Sequence, residues 1–144
     1  MPIANLESQQ RNYENTQLFT LIAPVLAKDV DVESSVQRNN SARGIVLIVK
    51  LANEVGVAGA YTPRIIIEDE DGNDIIYWSA AAALSAAGTA VYVLYPGAMA
   101  GAGSGVTANA SIVLPRNWFL QMDYTAGTPG TDKFDVEAYG MYLI

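Results

Sequence analysis

The sequence predicts an all-β fold: an antiparallel β-sandwich or jelly-roll-like domain of about eight strands over residues 18–144, behind an extended polar N-terminal arm at residues 1–17. Three observations carry this expectation. Turn-forming residues recur at roughly 8–12-residue spacing from Arg43 onward. The segments between them are rich in β-branched and aromatic side chains, which suit a pleated, half-buried surface. No long amphipathic helical pattern interrupts them, which argues against an α/β arrangement.

The arm is polar, with Glu7, Gln9, Gln10, Arg11, Asn12 and Glu14, and has too few apolar anchors to order itself. Ile3, Leu6 and Tyr13 could fix it against a neighbouring subunit; with Arg11 and the first strand residues Leu18 and Phe19 they form the candidate intersubunit contact. Residues 18–22 read as a strand, and Pro24, which cannot donate to a ladder, places its end at an edge or bend. Residues 28–40 alternate only weakly, at Val30 and Val32, and Ser34, Ser35, Asn39 and Asn40 mark them as loop.

Residues 44–51 are the clearest strand. Their apolar run is continuous rather than alternating, which suggests a central strand covered on both faces. Residues 52–60, with Gly56 and Gly59, connect it to a hairpin of residues 64–68 and 74–79 around Asp71-Gly72, a dipeptide that favours tight turns between apolar runs. The alanine-rich residues 80–87 are bounded by Ser79, Ser85 and Gly88, leaving a loop with room for one short helical turn. Residues 89–95 form a strand closed by Pro96-Gly97, and the small residues 98–108 read as a flexible loop. A short strand at 111–114 stops at Pro115. Residues 117–125 then alternate, with Trp118, Leu120, Met122 and Tyr124 on one face. A turn at 127–130 leads to a last strand with Phe134, Val136 and Ala138 opposite Asp135 and Glu137, running to Ile144.

Composition narrows the function. At 144 residues the chain is the size of one domain. Its 51% apolar content is too high for disorder. The net charge of −7, with the eight basic residues scattered singly, offers no stripe for displacing nucleic-acid counterions, so no nucleic acid is expected as a partner. The apolar run at 18–27 is about half a membrane span and holds Pro24, and no leader pattern opens the chain, so the expectation is cytosolic synthesis without a membrane anchor.

The chain has no His and no Cys, which removes the usual bases, thiolates and soft metal ligands. The acidic run 68–74 fails the EF-hand pattern: with Gly72 at its sixth position, the first and twelfth are Ile67 and Trp78. Gly101-Ala102-Gly103-Ser104-Gly105 lacks the helix and the Lys of a phosphate loop. Asn39-Asn40-Ser41 and Asn109-Ala110-Ser111 match the glycosylation pattern by chance. Trp78 and Trp118 suit a core or an interface better than a sugar-stacking platform. No enzyme activity, metal or cofactor is expected.

An ordered set of motifs runs through the last two thirds of the chain. Ser41-Ala42-Arg43-Gly44 leads into Ile45-Val46-Leu47-Ile48-Val49, and Thr62-Pro63 opens the next strand. Ala86-Ala87-Gly88-Thr89 precedes Val91-Tyr92-Val93-Leu94-Tyr95-Pro96-Gly97. Ala108-Asn109-Ala110 leads to Leu114-Pro115-Arg116-Asn117-Trp118, and the chain closes on Leu143-Ile144. This set resembles the head decoration, or cement, proteins of tailed bacteriophages, small virion proteins encoded beside capsid genes. The chain departs from the family pattern at Leu120 or Gln121, where Arg or Lys is usual. The resemblance implies a non-catalytic β-sandwich on the outer surface of a capsid, often a trimer, with itself and the major capsid protein as partners. In that role it would bridge capsomers, and Ile3, Leu6, Arg11, Tyr13, Leu18 and Phe19 would be capsid or subunit contacts. A head–tail connector or tail structural protein is the alternative reading, and a carbohydrate-binding module the third.

Overall fold

The computed structural model describes residues 17–56, 59–99, 101–103, 105–125 and 132–144. Their architecture is all-β, two sheets packed as a sandwich. The strands are β1 (Phe19–Lys28), β2 (Val32–Glu33), β3 (Gln37–Arg38), β4 (Gly44–Val55), β5 (Ala60–Glu68), β6 (Asp74–Ser79), β7 (Gly88–Leu94), β8 (Gly101–Gly103), β9 (Val106–Ala110), β10 (Asn117–Thr125) and β11 (Lys133–Leu143). One sheet has the order β1-β11-β4-β7-β9-β8, with β7 and β9 parallel and every other pair antiparallel. The other has the order β2-β10-β5-β6, with β3 also on β10.

Alternation builds the core. From the six-stranded sheet, Ile45, Leu47, Val49 and Leu51 of β4 point inward beside Ala90, Tyr92 and Leu94 of β7 and Phe134, Val136 and Ala138 of β11. Trp118, Leu120 and Met122 of β10 and Tyr61 and Ile65 of β5 meet them from the opposite sheet. Trp118 is only 1% exposed. Each large apolar side chain buried here contributes roughly 1.5–3 kcal/mol relative to exposure.

Several sequence expectations need correction, each for a physical reason. β1 does not stop at Ile22. It continues through Pro24 to Lys28 because it is an edge strand, where the missing N–H of proline costs no ladder bond, and its register shifts on both sides of that residue. The loop expected at 98–108 holds β8 and the first part of β9, which pair with each other while β9 joins β7. The 28–40 loop contains β2 and β3, two short pieces of one interrupted edge along β10. Residues 111–114 form no strand. Leu114 is buried there and donates its N–H to the Arg43 carbonyl (2.9 Å) outside any ladder. No helical turn occurs in 80–87; Leu84 exchanges two backbone hydrogen bonds with Tyr61. The turn expected at 127–130 and the arm lie outside the described residues, apart from Gln17.

Two polar side chains tie loops to this framework. Asn39, 7% exposed, donates to the carbonyls of Ala42 (2.7 Å) and Leu114 (3.2 Å) and accepts the Ala42 N–H (2.8 Å), so its amide is spent inside the protein. Asp135 holds two residues in the left-handed region, Ala27 (φ 50°) and Asn53 (φ 49°). One carboxylate oxygen accepts the Ala27 N–H (2.8 Å), and the other accepts the Asn53 side-chain amide. Left-handed backbone costs a residue such as alanine about 1–2 kcal/mol, so this clamp offsets strain at the ends of β1 and β4.

The clamp titrates. The hydrogen bond from Asn53, then that from Ala27, holds the Asp135 carboxyl below the usual carboxylate range. A depressed carboxylate contributes stability that is present above its unfolded pKa of about 3.9 and is lost as pH falls through the folded value. Melting temperature should therefore fall as pH drops below about 4, and Asp135→Ala should melt lower at neutral pH with a shallower acid dependence. Parallel melting curves for the two proteins across that range would contradict the assignment.

Candidate interaction surfaces

Of the contact residues expected from sequence, Ile3, Leu6, Arg11 and Tyr13 lie outside the described residues. Leu18 is 55% exposed immediately before β1. Phe19 turns the other way: its ring packs 4.8 Å from that of Tyr142 and lies over Gly140, where a Cβ would come within 2.9 Å of it. Phe19 thus seals the sandwich edge, and the two residues do not form one contact. Trp118 is enclosed in the core, and Trp78 meets Tyr92 edge-on at 5.4 Å. Neither is an open platform for a sugar ring.

The acidic hairpin tip is organised by its own turn. Asp69 accepts the N–H groups of Asp71 (2.9 Å) and Asn73 (2.8 Å) and the Asn73 side-chain amide (3.2 Å), with Gly72 at φ 80°. The Asn73 bonds draw the Asp69 carboxyl below its ordinary range. Among the described residues, no group of three or more Asp or Glu is arranged to hold a metal ion. Burial pushes the Tyr61, Tyr92 and Tyr142 hydroxyls up, so they stay neutral at ordinary pH. Tyr61 donates to the Val30 carbonyl (2.8 Å), an anchoring role.

The surface that stands out is the outer face of the six-stranded sheet. The continuous apolar run of β4 suggested cover on both faces, and the structure covers only one. Its inward residues are buried, while Val46 and Ile48 point outward and are half-buried. Register sets their neighbours. Val46 lies between Val93 of β7 and Met141 of β11, and Ile48 between Val91 and Tyr139. The result is a block of apolar side chains on the solvent side of the three central strands.

The block is bounded at both ends. At one, Lys50 approaches Glu137 (3.9 Å) and the Tyr139 ring (5.6 Å to its centroid), and the Tyr139 hydroxyl donates to Glu137 (2.7 Å). At the other, Val93, Tyr95, Ala98, Leu143 and Ile144 line an open hollow of about 520 Å³. Arg43 stands over the Tyr95 ring at 5.7 Å from its centroid. An apolar face with a polar rim is the build of a protein-docking surface. Sequence reasoning saw the apolar run in β4 but not this face, because the face needs the pairing of β4 with β7 and β11. The alternation of Tyr139, Met141 and Leu143 was its available signal.

Comparison of the chain with protein-family models, with curated proteins and with solved structures found no match. Among the described residues, no helix is long and apolar enough to cross a membrane.

One-sided cover has a direct consequence for stability. Leu47→Ala, on the inward face, should cost about 2–5 kcal/mol. Ile48→Thr, one residue on but outward, should cost less than about 1 kcal/mol in the free protein. Chemical denaturation of the two variants checks this, and equal losses would mean that the outer face is covered within the chain.

Proposed function

We propose that the protein is a structural virion component that decorates a phage capsid, binding its outer surface, bridging capsomers and stabilising the shell. The observation that carries this reading is the apolar outer face formed by Val46, Ile48, Val91, Val93 and Met141 on the six-stranded sheet. Such a face leaves a protein surface to be covered by protein, and the motif resemblance of residues 41–144 points to the capsid and to further copies of the chain as what covers it. A cement role asks for stiffness and contact area rather than turnover. Many weak contacts repeated over a shell would add up to firm attachment. Burial of Trp118 weighs against the carbohydrate-binding alternative.

The test is to add purified protein to capsids that lack it. The expected result is co-sedimentation with the capsids, self-association into an oligomer such as a trimer, and a higher temperature for capsid disruption. Val93→Glu places a charge in the docking face without touching the core, and should weaken capsid binding by about tenfold or more while melting close to the parent. A parent protein that stays monomeric and neither binds nor stabilises capsids would overturn the proposal. Labelled protein found at one vertex or on the tail, instead of spread over the head, would move it to the head–tail connector or tail role.

A further inference from the structure

A second surface lies on the opposite side of the sandwich. The outer face of the β10-β5-β6 sheet carries a groove whose floor is Ile66 and Phe119, both buried yet outside the core between the sheets. Val36, 60% exposed in the break between β2 and β3, forms a wall. The groove has two adjoining parts, of about 240 and 380 Å³, which share Val36, Glu68 and Phe119. Its rim is acidic: Glu33, Glu68, Asp69 and Asp74 line it, and no Lys or Arg does.

Two of these acids are placed against the usual rule. Glu68 and Asp74 are direct partners in the β5–β6 ladder, so their side chains project side by side on one face. Like charges directly opposite one another destabilise a strand pair. Asp69 is occupied by its own turn, and Glu33 accepts the Gln121 amide (3.0 Å). Glu68 and Asp74 have no ion-pair or side-chain hydrogen-bond partner among the described residues. A local rule broken at the mouth of an apolar groove marks a place where another molecule can supply the missing group.

We infer that this groove takes a basic side chain, arginine or lysine, from an extended segment of a partner protein. Its aliphatic stem lies along the exposed Val36 wall, and its cationic head sits between Glu68 and Asp74. The long apolar stem and charged tip of such a residue match a groove with an apolar floor and an acidic mouth. The site is separate from the outer face of the six-stranded sheet and does not depend on what that face binds.

Titration of the full chain with N-acetyl-Val-Thr-Arg-Thr-Val-amide, followed by backbone amide NMR shifts, tests this. The arginine peptide should move the signals of Val36, Glu68, Asp74 and Phe119, and the same peptide with uncharged citrulline in place of arginine should not. Glu68→Gln with Asp74→Asn should weaken binding by about tenfold or more and raise the melting temperature of the free protein, since it removes the like-charge pair. Val36→Ser should weaken binding with little change in melting. Equal responses to the two peptides, no response to either, or a lower melting temperature for the double variant would overturn the inference. So would calcium ions moving these signals where the arginine peptide does not.

Discussion

The structure turns on one constraint: β4 is apolar on both faces, and the sandwich covers only one of them. The inward set, Ile45, Leu47, Val49 and Leu51, sits at the centre of the core, and the strands on either side take their register from it. Alternation then fixes the outward set. Once Leu47 is inside, Val46 and Ile48 must be outside, and a shift of one residue would exchange the two faces. In most antiparallel sheets the outward positions are polar. Here they are not, and β7 and β11 supply further apolar neighbours.

That constraint gives the molecule two different sides. The outer face of the six-stranded sheet is broad and apolar, suited to packing against another protein over an area. The outer face of the smaller sheet is narrow, grooved and acidic, suited to holding one side chain. Because the two lie on opposite sides of the sandwich, neither needs to be vacated for the other to be filled. The edges are guarded more closely. β1 carries Pro24 and three register shifts, and the β2–β3 edge is short and broken, both common devices against uncontrolled strand addition. β6 is the exception, with Ile75 and Ile76 exposed along it.

Much of the fold was legible in the sequence, because local rules and the final fold agree there. The β5–β6 hairpin around Gly72, the alternating β10 and the closing strand β11 obey turn chemistry and period two, and tertiary packing left them where those rules put them. What was missed depends on partners distant in the chain. β9 looks like loop because Thr107, Ala108 and Asn109 are small or polar, and it becomes a strand by pairing with β7. Pro24 looks like a strand end, yet an edge position tolerates it within β1. The candidate surfaces were legible only in fragments. The packing of Phe19 over Gly140, more than 100 residues away, has no local signal, because the space for its ring is made by a distant glycine. In the acidic hairpin the sequence shows only a run that fails the calcium-loop pattern; the facing of Glu68 and Asp74 is revealed by the strand register alone.

If the capsid role proposed above holds, the outer face of the six-stranded sheet is covered by protein on the shell. Methionine oxidation measures this directly, because the chain carries its own control. Met141 lies within the apolar block, and Met99 is 85% exposed in the connection after β7. Hydroxyl-radical footprinting of free protein and of protein on capsids should show Met141 oxidised in the free state and protected on the shell, falling relative to Met99. Equal oxidation of Met141 in both states would contradict the account.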